Sequence, residues 1–188
     1  MGILIIIGAI VVFVIILIVL YNTLVSRKNQ VNNVFASIDA LIKKRYDLIP
    51  NLVATVQTYM KHERDTLTQI TALRTKAISE NISDNEKLAL GNQVTKALGG
   101  IMVAVENYPD LKSNQNFLQL QASLNEIEEQ ISAARRAYNA TVTAYNNAIE
   151  MFPTNILASM MGYKEMLVLE IPEQERQNVD VKELFSQP

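Results

Sequence analysis

The amino-acid sequence predicts an all-α protein in which an N-terminal transmembrane helix is followed by an elongated antiparallel (up-and-down) bundle of long helices. Three observations support this prediction. All 17 Lys and Arg residues and all 19 Asp and Glu residues follow residue 26. Beyond residue 30, apolar side chains recur at intervals of three and four, which is the period of an amphipathic helix. No stretch alternates between apolar and polar residues for long enough to indicate a strand.

Residues 1–21 are predicted to form a transmembrane anchor. Between Ile3 and Leu20 there are 17 strongly apolar side chains and one glycine, Gly8. A helix of this length rises about 27 Å, close to the thickness of the bilayer hydrocarbon. A cleavable signal peptide would have a basic start, a shorter apolar run and a small-residue cleavage site, so we expect an uncleaved anchor. Tyr21 then lies at the membrane surface, where aromatic rings are enriched.

Basic residues predict the orientation of this anchor. Arg27 and Lys28 follow it closely, whereas no basic residue precedes it. Residues 27–45 hold five basic residues and one acid, Asp39. Because positive charge favours the cytoplasmic side, we expect a short N-terminus outside and the helical domain in the cytoplasm. Arg27 and Lys28 are close enough to bind anionic headgroups, and residues 43–45 are expected on a solvated helix face.

A helical bundle domain is predicted over residues 22–163, followed by an acidic, loosely ordered tail at 164–188. Three apolar series at helical spacing extend from Val34 to Ala77, from Leu90 to Val105 and from Phe117 to Ile149. The breaks between them contain Asn, Ser, Asp and Pro, which begin and end helices. Residues 165–188 hold six acids, two bases and two prolines, a composition typical of weakly ordered chain.

Pro50 lies within the first series and allows two interpretations. Proline lacks the N–H that a helix interior needs, so it ends a helix in a hairpin or bends a continuous one. The apolar positions keep their phase on both sides of Pro50, and no glycine lies nearby to form a turn. These observations favour one bent helix from the membrane to about Glu80. The resulting helices would differ in length, however, and a break at Pro50 would give four better-matched ones.

Arg45 falls in phase with the apolar positions of the first helix, and two interpretations are open. An arginine at the edge of an apolar face can keep its charged head in water. A buried guanidinium would instead need a carboxylate or carbonyl partner, as in a structural ion pair. By residue type, the candidate partners are Asp47, Glu128, Glu129 and Glu150.

The third series carries a near repeat, AYNA at 137–140 and AYNN at 144–147. Residues seven apart share a helix face, so these tyrosines pack in the core or contact another subunit. If the first helix is continuous, this part of the third helix needs cover from a short helix at 156–161 or from another subunit. The candidate protein-interaction residues are Tyr138, Asn139, Val142, Tyr145, Asn146 and Ile149.

The composition argues against several kinds of site. The chain has no cysteine, and its six glycines do not fit the spacing of phosphate-binding loops. The single histidine, His62, lacks the second ligand of the usual zinc site. A net charge of −2 gives no general attraction to nucleic acid. We therefore expect no enzyme activity, no cofactor or metal, no nucleic-acid partner and no small-molecule substrate.

Four motifs follow one another along the chain: DLIPNL at 47–52, YPDLK at 108–112, RRAYN at 135–139 and FPTN at 152–155. In this order they resemble the LemA family of bacterial single-pass membrane proteins. With the anchor, the similar segments cover most of residues 1–165, and the tail beyond Glu170 is not covered. Two positions depart from the family pattern: Phe35 stands where tryptophan is expected, and Gly162-Tyr163 replaces a glycine–phenylalanine pair.

The resemblance implies one transmembrane helix in the bacterial cell (inner) membrane, a short extracellular N-terminus and a cytoplasmic antiparallel helical bundle. It implies no catalytic residue and no cofactor, because none is established for the family. The unmatched helix lengths, the tyrosine face and the single anchor favour a structural or scaffold protein that self-associates and organises the membrane. The alternative is a membrane-tethered adaptor for a different protein. The predicted partners are the lipid bilayer and further copies of the chain.

Overall fold

The computed structural model of this chain describes residues 1–79, 82 and 84–169. All regular secondary structure in these residues is helical, which confirms the predicted all-α class. The helices are α1 (Gly2–Val56), α2 (Arg64–Ala77), α3 (Asp84–Val105), α4 (Pro109–Lys112), α5 (Gln115–Glu150) and α6 (Thr154–Met160).

The helix α1 runs without interruption from the apolar N-terminus into the bundle. Its 55 residues correspond to about 83 Å at the usual rise per residue. Pro50 lies inside this helix, so the preferred prediction of a helix that continues through Pro50 is confirmed. The predicted end near Glu80 is wrong, because α1 ends at Val56 and α2 begins only at Arg64.

Tertiary contacts end α1 where the local sequence contains no residue that breaks a helix. In the turn after α1, Met60 is buried in the core, and its amide donates to the Val56 carbonyl at 2.9 Å. Glu63, which precedes α2, accepts a hydrogen bond of 2.7 Å from the Tyr108 phenol. These contacts stabilise a turn that reverses the chain direction. The helix α2 can therefore pack against α1 and cover part of its apolar surface, which would stay exposed if α1 simply continued.

The helices α1, α2, α3 and α5 form an up-and-down bundle. Arg74 of α2 contacts the Tyr46 carbonyl of α1, while Gly91 of α3 and Glu128 of α5 both contact Arg45 of α1. The inward faces of the four helices share one apolar core, which supplies most of the stabilisation through burial. Its fully buried members include Ile49, Leu52, Ile70, Val94, Ile101 and Ile127.

Only α1 and α5 extend from this four-helix part toward the apolar N-terminus. Lys87, in the first turn of α3, pairs with Asp39, so α3 begins beside the middle of α1. The parts of α1 before Asp39 and of α5 after Tyr138 therefore lie beyond α2 and α3. Their contact forms a second, smaller core of Val31, Val142 and Tyr145, covered by Tyr138, Ile149, Tyr163 and Met166.

After α5 the chain turns through the cis peptide bond Phe152–Pro153 into α6 and then runs back beside α5. Residues 164–169 have no regular secondary structure and lie against α5; we call this segment the C-terminal strap. The predicted boundary at residue 164 therefore needs correction, because the strap belongs to the packed domain. The rest of the predicted acidic tail, from residue 170, lies outside the described residues.

Candidate functional site

The N-terminal part of α1 is an apolar helix that packs against no other part of the described residues. Residues 2–19 are exposed on all sides, and a surface of this size is unusual for a soluble protein. By length and composition, two helices of the described chain could cross a membrane: α1 and residues 86–105 of α3. In α3, however, Val94 and Ile101 are buried in the bundle core. The start of α1 thus has the properties of a membrane anchor, and α3 those of a core helix.

The residues predicted at the membrane surface follow the anchor directly. Tyr21 is half exposed, and Arg27 is exposed with its Nη1 atom 3.5 Å from the Gln30 amide oxygen. The Lys28 ammonium lies 4.7 Å from the centre of the Tyr163 ring, which is a cation–π contact. Arg27 is therefore accessible to headgroups, whereas Lys28 also connects α1 to the chain after α6.

The most deeply buried charge in the described chain is Arg45. Its side chain is 1% exposed, so of the two open interpretations the structure has the buried one. The expectation that residues 43–45 lie on a solvated face is therefore wrong for Arg45, although Lys43 and Lys44 are exposed. Its Nη1 atom donates to the Glu128 carboxylate at 2.5 Å and to the Thr95 hydroxyl at 2.8 Å. Its Nη2 atom donates to the Gly91 carbonyl at 2.9 Å. One guanidinium thus connects α1, α3 and α5 in the centre of the four-helix part.

This buried cluster is suited to structure rather than to proton transfer. Burial raises the pKa of the neighbouring Tyr46 phenol above its ordinary value of 10.0, and the charge of Arg45 opposes that shift. The Tyr46 phenol is therefore neutral near pH 7. His62 is exposed. Within the described residues, no group of three His, Cys, Asp or Glu side chains could hold a metal ion.

A second polar contact compensates for Pro50. Proline has no N–H, so the carbonyl of Tyr46, four residues earlier, lacks its usual helical donor. The Nε atom of Arg74 in α2 donates to that carbonyl at 2.9 Å. The bond satisfies a group that would otherwise be unpaired, and it attaches α2 to α1 at the position of the proline.

The α5 face predicted to contact another protein is largely covered within the same chain. Val142 is fully buried and Tyr145 is 1% exposed, both against Val31 of α1. The Tyr138 ring lies 5.9 Å from that of Phe35, centre to centre, and Ile149 packs on the same small core. These side chains are used inside the domain, so of the two open interpretations the structure has the one in which they pack in a core, and their listing as protein-interaction candidates needs correction.

The two asparagines of the repeat hold the C-terminal strap. The Asn146 side chain donates to the Met166 carbonyl at 2.9 Å and accepts from the Met166 amide at 3.0 Å. Asn139 makes the same pair of bonds with Leu169, at 2.9 and 2.8 Å. Seven helical residues and three extended residues both span roughly 10 Å, so the two spacings match. The strap therefore runs antiparallel to α5 with a defined register.

Tyr145 makes a third contact with the same segment. Its phenol donates to the Lys164 carbonyl at 3.1 Å, and its ring lies 6.0 Å from that of Tyr163. Burial, and to a smaller extent the neighbouring Tyr163 phenol, raises the pKa of Tyr145 above 10.0. Near the apolar N-terminus, the strap and Tyr163 thus lie beside α1 and α5 in the place that α2 and α3 occupy in the rest of the bundle.

Sequence reasoning missed several polar residues that hold the bundle together. Thr95 and Gly91 carry no pattern that links them to Arg45. Arg135 is also buried and donates from Nη2 to the Asn92 side chain at 2.8 Å, but it resembles any helical arginine in sequence. Arg74 could have been sought, because a proline inside a helix predicts an unpaired carbonyl four residues earlier.

The chain is similar to several bacterial proteins. Protein LemA of Metamycoplasma hominis is 29% identical over 163 residues, which are 87% of this chain and 74% of that protein. Magnetosome protein MamQ 1 of Paramagnetospirillum magneticum is 26% identical over 181 residues, 83% of this chain and 66% of that protein. Magnetosome protein MamQ of Magnetospirillum gryphiswaldense is 36% identical over 70 residues, 37% of this chain and 26% of that protein.

The sequence model of the LemA family matches residues 34–182. This match contains the buried Arg45 cluster, Pro50 and both asparagines that hold the strap. It also extends beyond Glu170, where the similarity noted in the sequence ends. The apolar N-terminal helix and the relatives together indicate a membrane protein. On the family match and the agreement over most of its length with a LemA protein, this chain belongs to the LemA family.

Proposed function

We propose that this chain is a structural membrane protein whose helical domain assembles with further copies of itself on the cytoplasmic surface. The observation that carries the proposal is the outward surface of α3. Val103 is 74% exposed there, and a Cβ atom added to Gly99 or Gly100 would meet nothing within 4 Å. This apolar surface is distinct from the α5 face predicted from the sequence.

Neither glycine is needed for close packing against the rest of the described chain. Glycine in a helix interior destabilises a protein by roughly 0.5–1 kcal/mol relative to alanine. Gly99 and Gly100 accept this cost within α3, although their surroundings would admit larger side chains. A helix of a second subunit that approaches closely beside Val103 would account for both glycines. The single anchor supports such assembly because it raises the local concentration of subunits on the membrane.

The cytoplasmic orientation rests on the distribution of basic residues. Arg27 and Lys28 follow the anchor, and no basic residue precedes it. A non-catalytic role is supported by the use of the polar groups in the described core. The Arg45 guanidinium is occupied by the Glu128 carboxylate, the Thr95 hydroxyl and the Gly91 carbonyl.

Cysteine cross-linking tests the assembly, because the chain has no cysteine of its own. Val103→Cys, in native membranes under mild oxidation, is expected to give a covalent dimer. Ala133→Cys, at an exposed position of α5, is the control and is expected to remain monomeric. Adding Gly100→Leu to Val103→Cys should abolish the dimer, because leucine fits within the subunit but blocks close approach. A Val103→Cys protein that stays monomeric in native membranes would contradict the proposed assembly.

The second candidate function is that of an adaptor that holds a different protein at the membrane. The strap favours it, because Asn139 holds Leu169 against α5, just before the acidic residues that begin at Glu170. If the chain is such an adaptor, deletion of residues 170–188, which keeps the strap, would abolish capture of the partner. Val103→Cys would then form no dimer, because the chain would not assemble with itself. Retention of the dimer in the same deletion favours self-assembly.

A further inference from the structure

Four large apolar side chains are exposed together where the chain turns from α5 into α6. Met151 is 63% exposed, Phe152 79%, Ile156 57% and Met160 80%. We call this group the membrane-proximal corner. None of these residues contributes to the two cores of the described chain. Contiguous exposed apolar side chains of this size mark a surface that contacts another apolar phase.

The pairing of α1 with α5 fixes the position of this corner along the axis of α1, which we call its height. Arg45 contacts Glu128, and Phe35 packs on Tyr138. Because both pairs are ten residues apart along their helices, the two antiparallel helices keep the same register between them. The same register, continued for twelve residues, brings the end of α5 at Glu150 to the height of Thr23. Met151 and Phe152 follow immediately, at about the height of Tyr21, where the membrane anchor ends.

The other end of α6 is fixed as well. Tyr163, just after α6, lies against Lys28, which is seven residues or about 10 Å beyond Tyr21 along α1. Between these ends, α6 packs against α1, and both Ala158 and Leu24 are fully buried. The whole of α6 therefore lies within about 10 Å of the height of Tyr21, in the range over which interfacial helices enter the boundary between headgroups and acyl chains.

We infer that the membrane-proximal corner inserts into the lipid headgroup–acyl boundary, so that the bundle is seated on the bilayer rather than held away from it. The inference rests on the membrane anchoring within the proposed function. Lipid is the occupant because the corner continues the surface of the anchor, which leaves the chain at the same height. The nearby charges are mixed, with Arg27, Lys28 and Lys164 against Glu150 and Glu165, so insertion depends on the apolar side chains and needs no anionic lipid.

Tryptophan fluorescence tests this contact, because the chain contains no tryptophan. Phe152→Trp and Met160→Trp variants of the full-length protein are placed in vesicles of phosphatidylcholine brominated near the top of one acyl chain. Both should show blue-shifted emission and lose intensity relative to unbrominated vesicles. Phe13→Trp, within the anchor, reports insertion of the anchor itself. Leu118→Trp, at an exposed position near the far end of α5, is the control and should keep its full intensity.

The pattern of quenching separates the possible failures. If Phe13→Trp is quenched but Phe152→Trp and Met160→Trp are not, the anchor spans the membrane and the corner does not touch lipid, which overturns the inference alone. Blue-shifted but unquenched emission from the corner overturns it in favour of a protein contact. If Phe13→Trp is also unquenched, the anchoring fails and the inference fails with it. Adding phosphatidylglycerol should leave the quenching unchanged; quenching that appears only with this lipid would overturn the apolar basis of the contact.

Discussion

Arg45 and Asn146 are polar residues on helix faces that otherwise pack in apolar surroundings, and each makes hydrogen bonds across an interface. Arg45 connects three helices with one guanidinium, whereas Asn146 pairs with both backbone groups of Met166. An unpaired buried polar group is unfavourable, so such residues favour the one arrangement that satisfies them. They therefore act on the specificity of the fold more than on its overall stability.

The ion pair between Arg45 and Glu128 can be tested by substitution of a single residue. Glu128→Gln leaves the buried guanidinium with its Thr95 and Gly91 contacts but without a counter-charge. Because the Glu128 side chain is 38% exposed, we expect a loss of about 1–3 kcal/mol in the free energy of unfolding. Urea unfolding of the full-length protein in mild detergent measures it. The exposed neighbour provides the control: Glu129→Gln should change stability by less than about 0.5 kcal/mol, and equal effects of the two variants would contradict the assignment.

At the scale of elements, α1 and the strap each depend on a contact from another part of the chain. Pro50 leaves the Tyr46 carbonyl without its helical donor, and Arg74 supplies one. Beyond α2 and α3, Tyr163 and Met166 of the chain after α6 cover the small core between α1 and α5. In both places, a segment distant in sequence supplies what the local helix lacks: a hydrogen-bond donor at Pro50, and cover for the apolar surface of α1 and α5.

A double-mutant cycle tests the contact at Pro50. Arg74→Met should destabilise the bundle by about 1–3 kcal/mol, because it leaves the Tyr46 carbonyl without a donor. In a Pro50→Ala background, the new backbone amide can take that carbonyl, so the same change should have a smaller effect. Urea unfolding of the four proteins gives the coupling energy, which we expect to reach about 1 kcal/mol. Lys76→Met, at an exposed position of α2, should give no coupling to Pro50.

Amide hydrogen exchange tests the register of the strap. Asn146→Ala removes both bonds to Met166, so exchange of the Met166 amide should accelerate and the free energy of unfolding fall by about 1–3 kcal/mol. Asn139→Ala should do the same for the Leu169 amide. Asn147→Ala, at an exposed neighbouring position, is the matched control. Unchanged protection of the Met166 amide in Asn146→Ala would show that Asn146 does not hold the strap.

At the scale of the whole molecule, the continuous α1 joins the apolar anchor to the bundle without a linker. A helix does not swivel as a flexible linker does, so the anchor and the bundle share one orientation. The orientation of the apolar end of α1 therefore sets the orientation of the whole bundle.

Site-directed labelling tests the orientation of the whole chain. With no native cysteine, single variants at the two ends report on each side of the membrane. Gly2→Cys should react with a membrane-impermeant maleimide in intact cells, because the N-terminus is expected outside. Lys112→Cys, exposed in α4 at the far end of the bundle, should react only after the membrane is permeabilised. The opposite pattern of labelling would reverse the proposed topology.

The helical class and the apolar N-terminal segment could be predicted from the sequence, whose apolar positions also favoured a helix that continues through Pro50. These predictions follow from local periodicity and composition, because residues three and four apart share a helix face. The structure was needed to show that α1 ends at Val56, that Glu128 rather than another acid pairs with Arg45, and that the strap covers the tyrosine face of α5. These outcomes depend on contacts between residues far apart in sequence, and local pattern carries no information about which distant group will satisfy a buried charge, a free carbonyl or an uncovered apolar face.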